Sequence, residues 1–174
     1  MSDLNTIGYH GTTRAQALRM VNERFFPNSD RKNEWLGKGI YFFAYKEHAS
    51  WWISHSRYAG QETAIVVADL RYTKEQLLDL DDPAQLQILD DIVREAVEFS
   101  DRSKDSTGAE IKTKQQNWCF ACNLIKQLCP EIGIIMYTFR DSGKRSYYTY
   151  SRLTGNQKQI CVSEHSIITN VKIV

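Results

Sequence analysis

The stretch WLGKGIYFF, Trp35 to Phe43, sets two glycines one residue apart in front of an aromatic run. Residues Gly39 to Phe43 read as a strand, and what the strand is for depends on why its approach must be so small. Glycine lacks a Cβ, so the backbone at Gly37 and Gly39 can pass close to another chain or a ligand. Two readings follow. Gly39 is a bulge and Tyr41 a half-buried strand aromatic, or Tyr41 is the wall against which a flat ligand lies. Gly37, Lys38 and Gly39 do not form a dinucleotide fingerprint, because a third glycine is missing and a strand, not a helix, follows. No Walker loop, G-x-S-x-G elbow or H-E-x-x-H pair occurs in the chain, so those nucleotide-binding and hydrolase classes lose support.

The 174 residues, 42% of them hydrophobic, suit a single domain over 1–174 with a substantial core. Twenty-two basic residues face 21 acidic ones, so any attraction to nucleic acid must be local. The N-terminus MSDLNTIGYH has no apolar signal core and no run approaches membrane-spanning length, which predicts a cytoplasmic protein with no membrane partner. The four cysteines form no disulfide framework. Cys119 and Cys122 lie in a helical pattern without a second zinc-like pair and are expected to be core thiols, and no metal is expected. The acidic residues Asp79, Asp81 and Asp82 precede a helix, where its dipole favours them.

The element pattern is α+β. A strand near Ile7 to His10 leads into a helix from about Arg14, with Thr13 and Gln16 spaced as a capping box and Ala17, Leu18 and Val21 on its inner face. A helix from Lys46 to about Tyr58 buries Ala49, Trp52, Ile53 and Ser56, and TAIVVADL is a strand covered on both faces. Asp82 caps a helix that starts at Pro83 and carries Leu86, Leu89, Val93 and Ala96 as its apolar stripe. DRSKDSTGAEIKT reads as an exposed loop before the helix of Trp118. The strands GIIMYTF, SYYTYSRL and QKQICV follow, with a last strand near Asn170 to Val174. Strands with helices inserted between them predict a split, mostly antiparallel sheet.

Three short stretches on these strands carry the polar chemistry: YHGTT from Tyr9, GKGIYF from Gly37, and QKQICV from Gln157. They suit a ligand with a ribose and an aromatic amide. His10 offers a donor to a ribose hydroxyl, the Gly11 backbone can pair with a carboxamide, and Tyr41 offers a stacking face.

In that order the stretches resemble the core of the diphtheria-toxin and PARP-like ADP-ribosyltransferases. They are most similar to small bacterial and phage-associated members with the pattern YHGT, WLGKGIYFF and QICV. The resemblance spans roughly residues 7 to 168. It implies a split sheet whose halves cradle NAD as co-substrate, without a Rossmann fold. It also implies that His10 binds the adenosine-side ribose, Gly11 the nicotinamide amide, and Thr12 or Thr13 the region of the nicotinamide-side ribose. Gly39 lies beside the ligand and Tyr41 stacks on nicotinamide.

This sequence departs from the family at Gln159, where the family's catalytic glutamate falls. A carboxylate there would hold a ribose hydroxyl and stabilise positive charge in an oxocarbenium-like state. Gln159 can hydrogen-bond the ribose but supplies no charge and no base. Glu164 lies five residues further on, an odd offset that points it to the other face of an unbroken strand. With His10, Tyr41 and Gln159 as the reacting set, the expectation is a mono-ADP-ribosyltransferase, not a polymerase; the alternative is a catalytically silent NAD- or ADP-ribose-binding module.

The segment before Gln159 corresponds to the family's acceptor-recognition loop. Here Arg145, Tyr148, Arg152 and Gln157 combine basic, aromatic and amide groups that suit single-stranded nucleic acid. A plain hairpin with tyrosines inward and arginines outward explains the same pattern. RNA is the favoured acceptor, ahead of DNA or protein. The small bacterial relatives resemble toxins of toxin-antitoxin or anti-phage modules, which implies a neutralising antitoxin partner.

Overall fold

The computed structural model describes residues 3–31, 34–54, 56–102, 114–140 and 156–174. Strand β1 (Leu4–Thr13) runs directly into helix α1 (Arg14–Asn22), followed by β2 (Ile40–Phe43), α2 (Lys46–Ile53), β3 (Thr63–Tyr72) and β4 (Leu77–Asp79). Helices α3 (Pro83–Arg102) and α4 (Lys114–Leu128) come next, then β5 (Ile134–Arg140), β6 (Asn156–Val162) and β7 (Ile168–Ile173). The fold is mixed α and β, built on a seven-stranded sheet ordered β4-β5-β6-β2-β1-β3-β7. Every pairing is antiparallel except β4 with β5. No helix among the described residues is long and apolar enough to cross a membrane.

The sheet is firm within its two flanks and thin between them. β1 pairs with β3 over ten consecutive positions, Leu4↔Tyr72 to Thr13↔Thr63, and β6 pairs with β5 over seven. Between the flanks, β1 and β2 share a single registered pair, Tyr9↔Phe43. Beyond it, toward Gly11 on one strand and Ile40 on the other, the strands part. That opening positions the site.

Helices cover both faces of the sheet. Phe42, Val66, Ile134 and Ile160 point to one side, where they pack with Ala17 and Met20 of α1. Cys161, Ile135 and Phe139 point to the other, against Ala121, Cys122 and Ile125 of α4, and Phe43 and Ile65 pack on Ala49 of α2. The unbroken apolar run in β3 follows, since Ile65 and Val66 are buried on opposite faces. The cysteines are free, with Cys119, Cys122 and Cys161 buried.

Several expected boundaries move, each for a local reason. Thr13 caps α1, its Oγ1 accepting from Gln16 N at 3.3 Å, but the inner face is Ala17 and Met20 while Leu18 is exposed. Helix α2 stops at Ile53, not Tyr58, where the Ser54 hydroxyl donates to Trp51 O at 2.6 Å and competes with the helical ladder. A short 3-10 turn, Ser56–Tyr58, follows. Asp82 caps α3 through Ala84 N at 2.9 Å, with Leu89 buried and Leu86 exposed. Asp81 accepts from Thr138 N, Thr138 Oγ1 and Lys158 Nζ at 2.7 to 2.9 Å, so its carboxylate ties the approach to α3 to β5 and β6. Helix α3 includes Asp101 and Arg102, the start of the expected loop, whereas 103–113 lie outside the described residues. The expected strand SYYTYSRL also lies outside them.

Candidate functional site

Tyr41 is fixed at both ends of its side chain. Its backbone is in register with Cys161 of β6, and its hydroxyl donates to Gly37 O at 2.6 Å while accepting from Leu36 N at 2.9 Å. Helix α4 grips the same turn from outside. Asn123 Oδ1 accepts from Lys38 N at 2.7 Å, and Lys126 Nζ donates to Leu36 O at 3.0 Å and Lys38 O at 2.7 Å. Burial, with Cys161 and Glu34 close by, pushes the Tyr41 hydroxyl far above the ordinary tyrosine value, so it stays protonated and keeps donating.

The glycines of the opening stretch answer to these neighbours. Gly37 sits at φ +75°, and a Cβ there would come within 2.5 Å of Asn123 Oδ1. A Cβ on Gly39 would meet Cys161 Sγ at 2.6 Å and Val162 O at 2.7 Å. Close packing against α4 and β6 therefore accounts for both, and the Tyr41 wall is a consequence of that packing.

His10 spans the opening from the other strand. Its Nδ1 lies 2.6 Å from Tyr41 O. A carbonyl oxygen only accepts, so Nδ1 carries the proton and the neutral ring keeps its lone pair on Nε2. Burial lowers the His10 pKa, which favours that neutral form. The expected donor to a ribose hydroxyl is thus corrected: neutral His10 presents an acceptor at Nε2. The ring is steadied by an edge-to-face contact with Phe42 at 5.8 Å. Gly11, next along β1, lies beneath α2, where a Cβ would stand 2.7 Å from both Ala49 O and Ile53 Cγ2.

Between these strands lies a cleft of about 300 Å³. His10, Gly11, Gly39 and Tyr41 line it, joined by Gln157 and Gln159 of β6. Gln159 is in register with Phe43 on one side and Tyr137 on the other, which sets its side chain on the sheet face shared by Tyr41. Trp35, Trp51 and Trp52 add aromatic surface, and the Arg57 guanidinium lies 3.8 Å from the Trp52 ring centroid. Arg31 is a second cation at the cleft.

Thr12 and Thr13 are not among the lining residues. Thr12 is buried in the pairing with β3, and Thr13 is occupied as the α1 cap. Glu164 is also elsewhere: β6 ends at Val162, and the Glu164 carboxylate accepts from Ser166 N at 3.0 Å as the cap of a 3-10 turn. Arg145, Tyr148 and Arg152 lie outside the described residues.

Contributors missed in the sequence include Arg31, Glu34, Arg57, Asn123 and Lys126. Glu34, immediately before the opening stretch, lines the cleft, and a lone carboxylate beside the glycine motif was the available signal. Arg57, Asn123 and Lys126 reach the site only through tertiary packing, and no local spacing announces them.

No family model and no solved structure matches the chain. An uncharacterized protein of Methanocaldococcus jannaschii is 31% identical over 84 residues, covering 46% of this chain and 39% of that protein. The chain therefore spans about two fifths of the length of the curated relative it matches.

Proposed function

We propose that the cleft binds NAD and that the protein transfers ADP-ribose from it to a macromolecule, as a mono-ADP-ribosyltransferase. The observation that carries this reading is the meeting of His10 and Tyr41 across the opening between β1 and β2, with Gln159 in the same cleft. Three residues from distant parts of the chain, the same three that the family resemblance singles out, line one cavity. In this reading Tyr41 is a pre-set stacking wall for nicotinamide, held by Leu36 and Gly37 so that little is lost in ordering it on binding. His10 Nε2 accepts from a ribose hydroxyl, and Gln159 holds a second hydroxyl. Arg31 and Arg57 supply positive charge that suits a diphosphate.

RNA is the acceptor we favour. The support is in the sequence, in the basic and tyrosine-rich segment preceding Gln157. A role as a cytoplasmic toxin or anti-phage effector, silenced by an antitoxin, rests on the resemblance alone. One observation favours the silent NAD-binding module as a second reading. Gln159 carries no charge, and Glu164 is committed to its own turn.

The test is incubation of the purified protein with phosphate-labelled NAD and a cell lysate, followed by separation of RNA, DNA and protein. Transfer predicts covalent label in one pool. Measurable NAD binding with no label in any pool would favour the silent module.

A further inference from the structure

We infer that Glu34, which lines the same cleft as Gln159, supplies the carboxylate that position 159 lacks and acts as the base for the acceptor. The proposal rests on the transferase reading above. Glu34 is the one acidic residue among the described residues that line the cleft. Its side chain is only 19% exposed, and its ion pair with Arg31 is long, with Nε 4.0 Å away on a side chain that is itself 67% exposed. A largely buried carboxylate without a tight ion pair is costly unless hydrogen bonds hold it. Here the Ser29 hydroxyl donates to Glu34 Oε1.

That serine is tied to the core of the site. Ser29 and Gly39 form an antiparallel bridge, Ser29 N to Gly39 O at 2.8 Å and Gly39 N to Ser29 O at 3.2 Å. The carboxylate is thereby fixed relative to Gly39, two residues before Tyr41. The placement is local in sequence: the turn that carries Glu34 continues directly into the turn that anchors the Tyr41 hydroxyl. No hydrogen bond or close ion pair among the described residues engages Oε2, which leaves it to take a proton.

The step balances with two co-reactants, NAD and a macromolecule bearing a hydroxyl or amine. The bond between the ribose anomeric carbon and the nicotinamide nitrogen breaks, and its electron pair leaves with neutral nicotinamide. The acceptor's oxygen or nitrogen bonds to the same carbon. Its proton passes to Glu34 and from there to water. The negative charge of Glu34 also opposes the positive charge that develops on the ribose.

The test compares the full chain with Glu34→Gln and Glu34→Asp. Each is assayed for NAD affinity by calorimetry, for nicotinamide release and for label transfer to lysate. The expected result for Glu34→Gln is NAD affinity within about twofold of the parent and transfer reduced on the order of 100-fold, the usual scale of a lost general base. Glu34→Asp, which keeps a carboxylate, is expected to recover part of the loss. Transfer by Glu34→Gln at the parental rate would overturn the proposal. Equal loss in Gln and Asp variants would also overturn it, since shape rather than charge would then matter. A parent that binds NAD but neither releases nicotinamide nor transfers label is a different failure, that of the transferase reading itself.

Discussion

His10 and Tyr41 hold the sheet together at the place where its strands separate: the imidazole Nδ1–H donates to Tyr41 O at 2.6 Å, just past the single β1–β2 register pair. A side chain here takes the place of the next backbone hydrogen bond, so the cleft can open without leaving that carbonyl unpaired. The same bond fixes the tautomer that any ligand meets.

Tyr41 is expected to separate binding from stability. Aromatic stacking on a base is worth about 1–3 kcal/mol. Tyr41→Ala should therefore weaken NAD binding about 10-fold or more, while Tyr41→Phe keeps the wall. Tyr41→Phe should instead lower stability by about 1–3 kcal/mol, because Leu36 N and Gly37 O lose their partner. Calorimetric titration with NAD and urea unfolding of both variants check this.

Lys126 and Asn123 should act on the site without touching it. Lys126→Met removes the donor to Leu36 O and Lys38 O, and Asn123→Ala removes the acceptor for Lys38 N. Each is expected to destabilise the fold by about 1–3 kcal/mol. Each should also weaken NAD binding, because the turn that holds the Tyr41 hydroxyl is loosened. Unchanged NAD affinity in a destabilised Lys126→Met would show that the grip of α4 does not reach the ring.

Gly39 and Gly60 give a matched pair. Gly39→Ala drives a Cβ into Val162 O at 2.7 Å, a backbone atom that cannot step aside, and should cost well over about 2 kcal/mol. Gly60 has φ +75° but nothing within 4 Å, so Gly60→Ala should cost only the backbone term of about 1–2 kcal/mol. Thermal melting ranks the two.

Acid should loosen the fold from the histidine range downward. Burial lowers the pKa of both His10 and His48 from the ordinary 6.5. Below about pH 6.5 the unfolded chain then binds protons that the folded chain resists, so stability is complete above that pH and falls as pH drops toward the folded values. His10 is the more deeply buried of the two, and His48 Nδ1 has no hydrogen-bond partner among the described residues. Melting temperatures are expected to fall between about pH 7 and about pH 5.5, with a smaller fall in His48→Leu. A melting temperature unchanged over that window would contradict the buried neutral state.

The strands and their faces were legible because long apolar runs leave little choice. TAIVVADL and QICV bury residues on both sides of the sheet, and Thr13 and Asp82 mark their helix starts by short-range hydrogen bonds. β4 was not legible: it is three residues long and exists because β5 offers it a parallel edge. At the site, Tyr41, His10 and Gln159 could be picked out as polar or aromatic groups at strand positions. The reason for the glycines could not, since it lies in Asn123 and Cys161, more than 80 residues further along.

The most direct test of the account is NAD titration of the purified chain by calorimetry beside Tyr41→Ala and His10→Ala. Saturable binding by the parent and clear weakening in both variants are expected. Absence of binding by the parent, or binding that neither substitution alters, would contradict the assignment of this cleft to NAD.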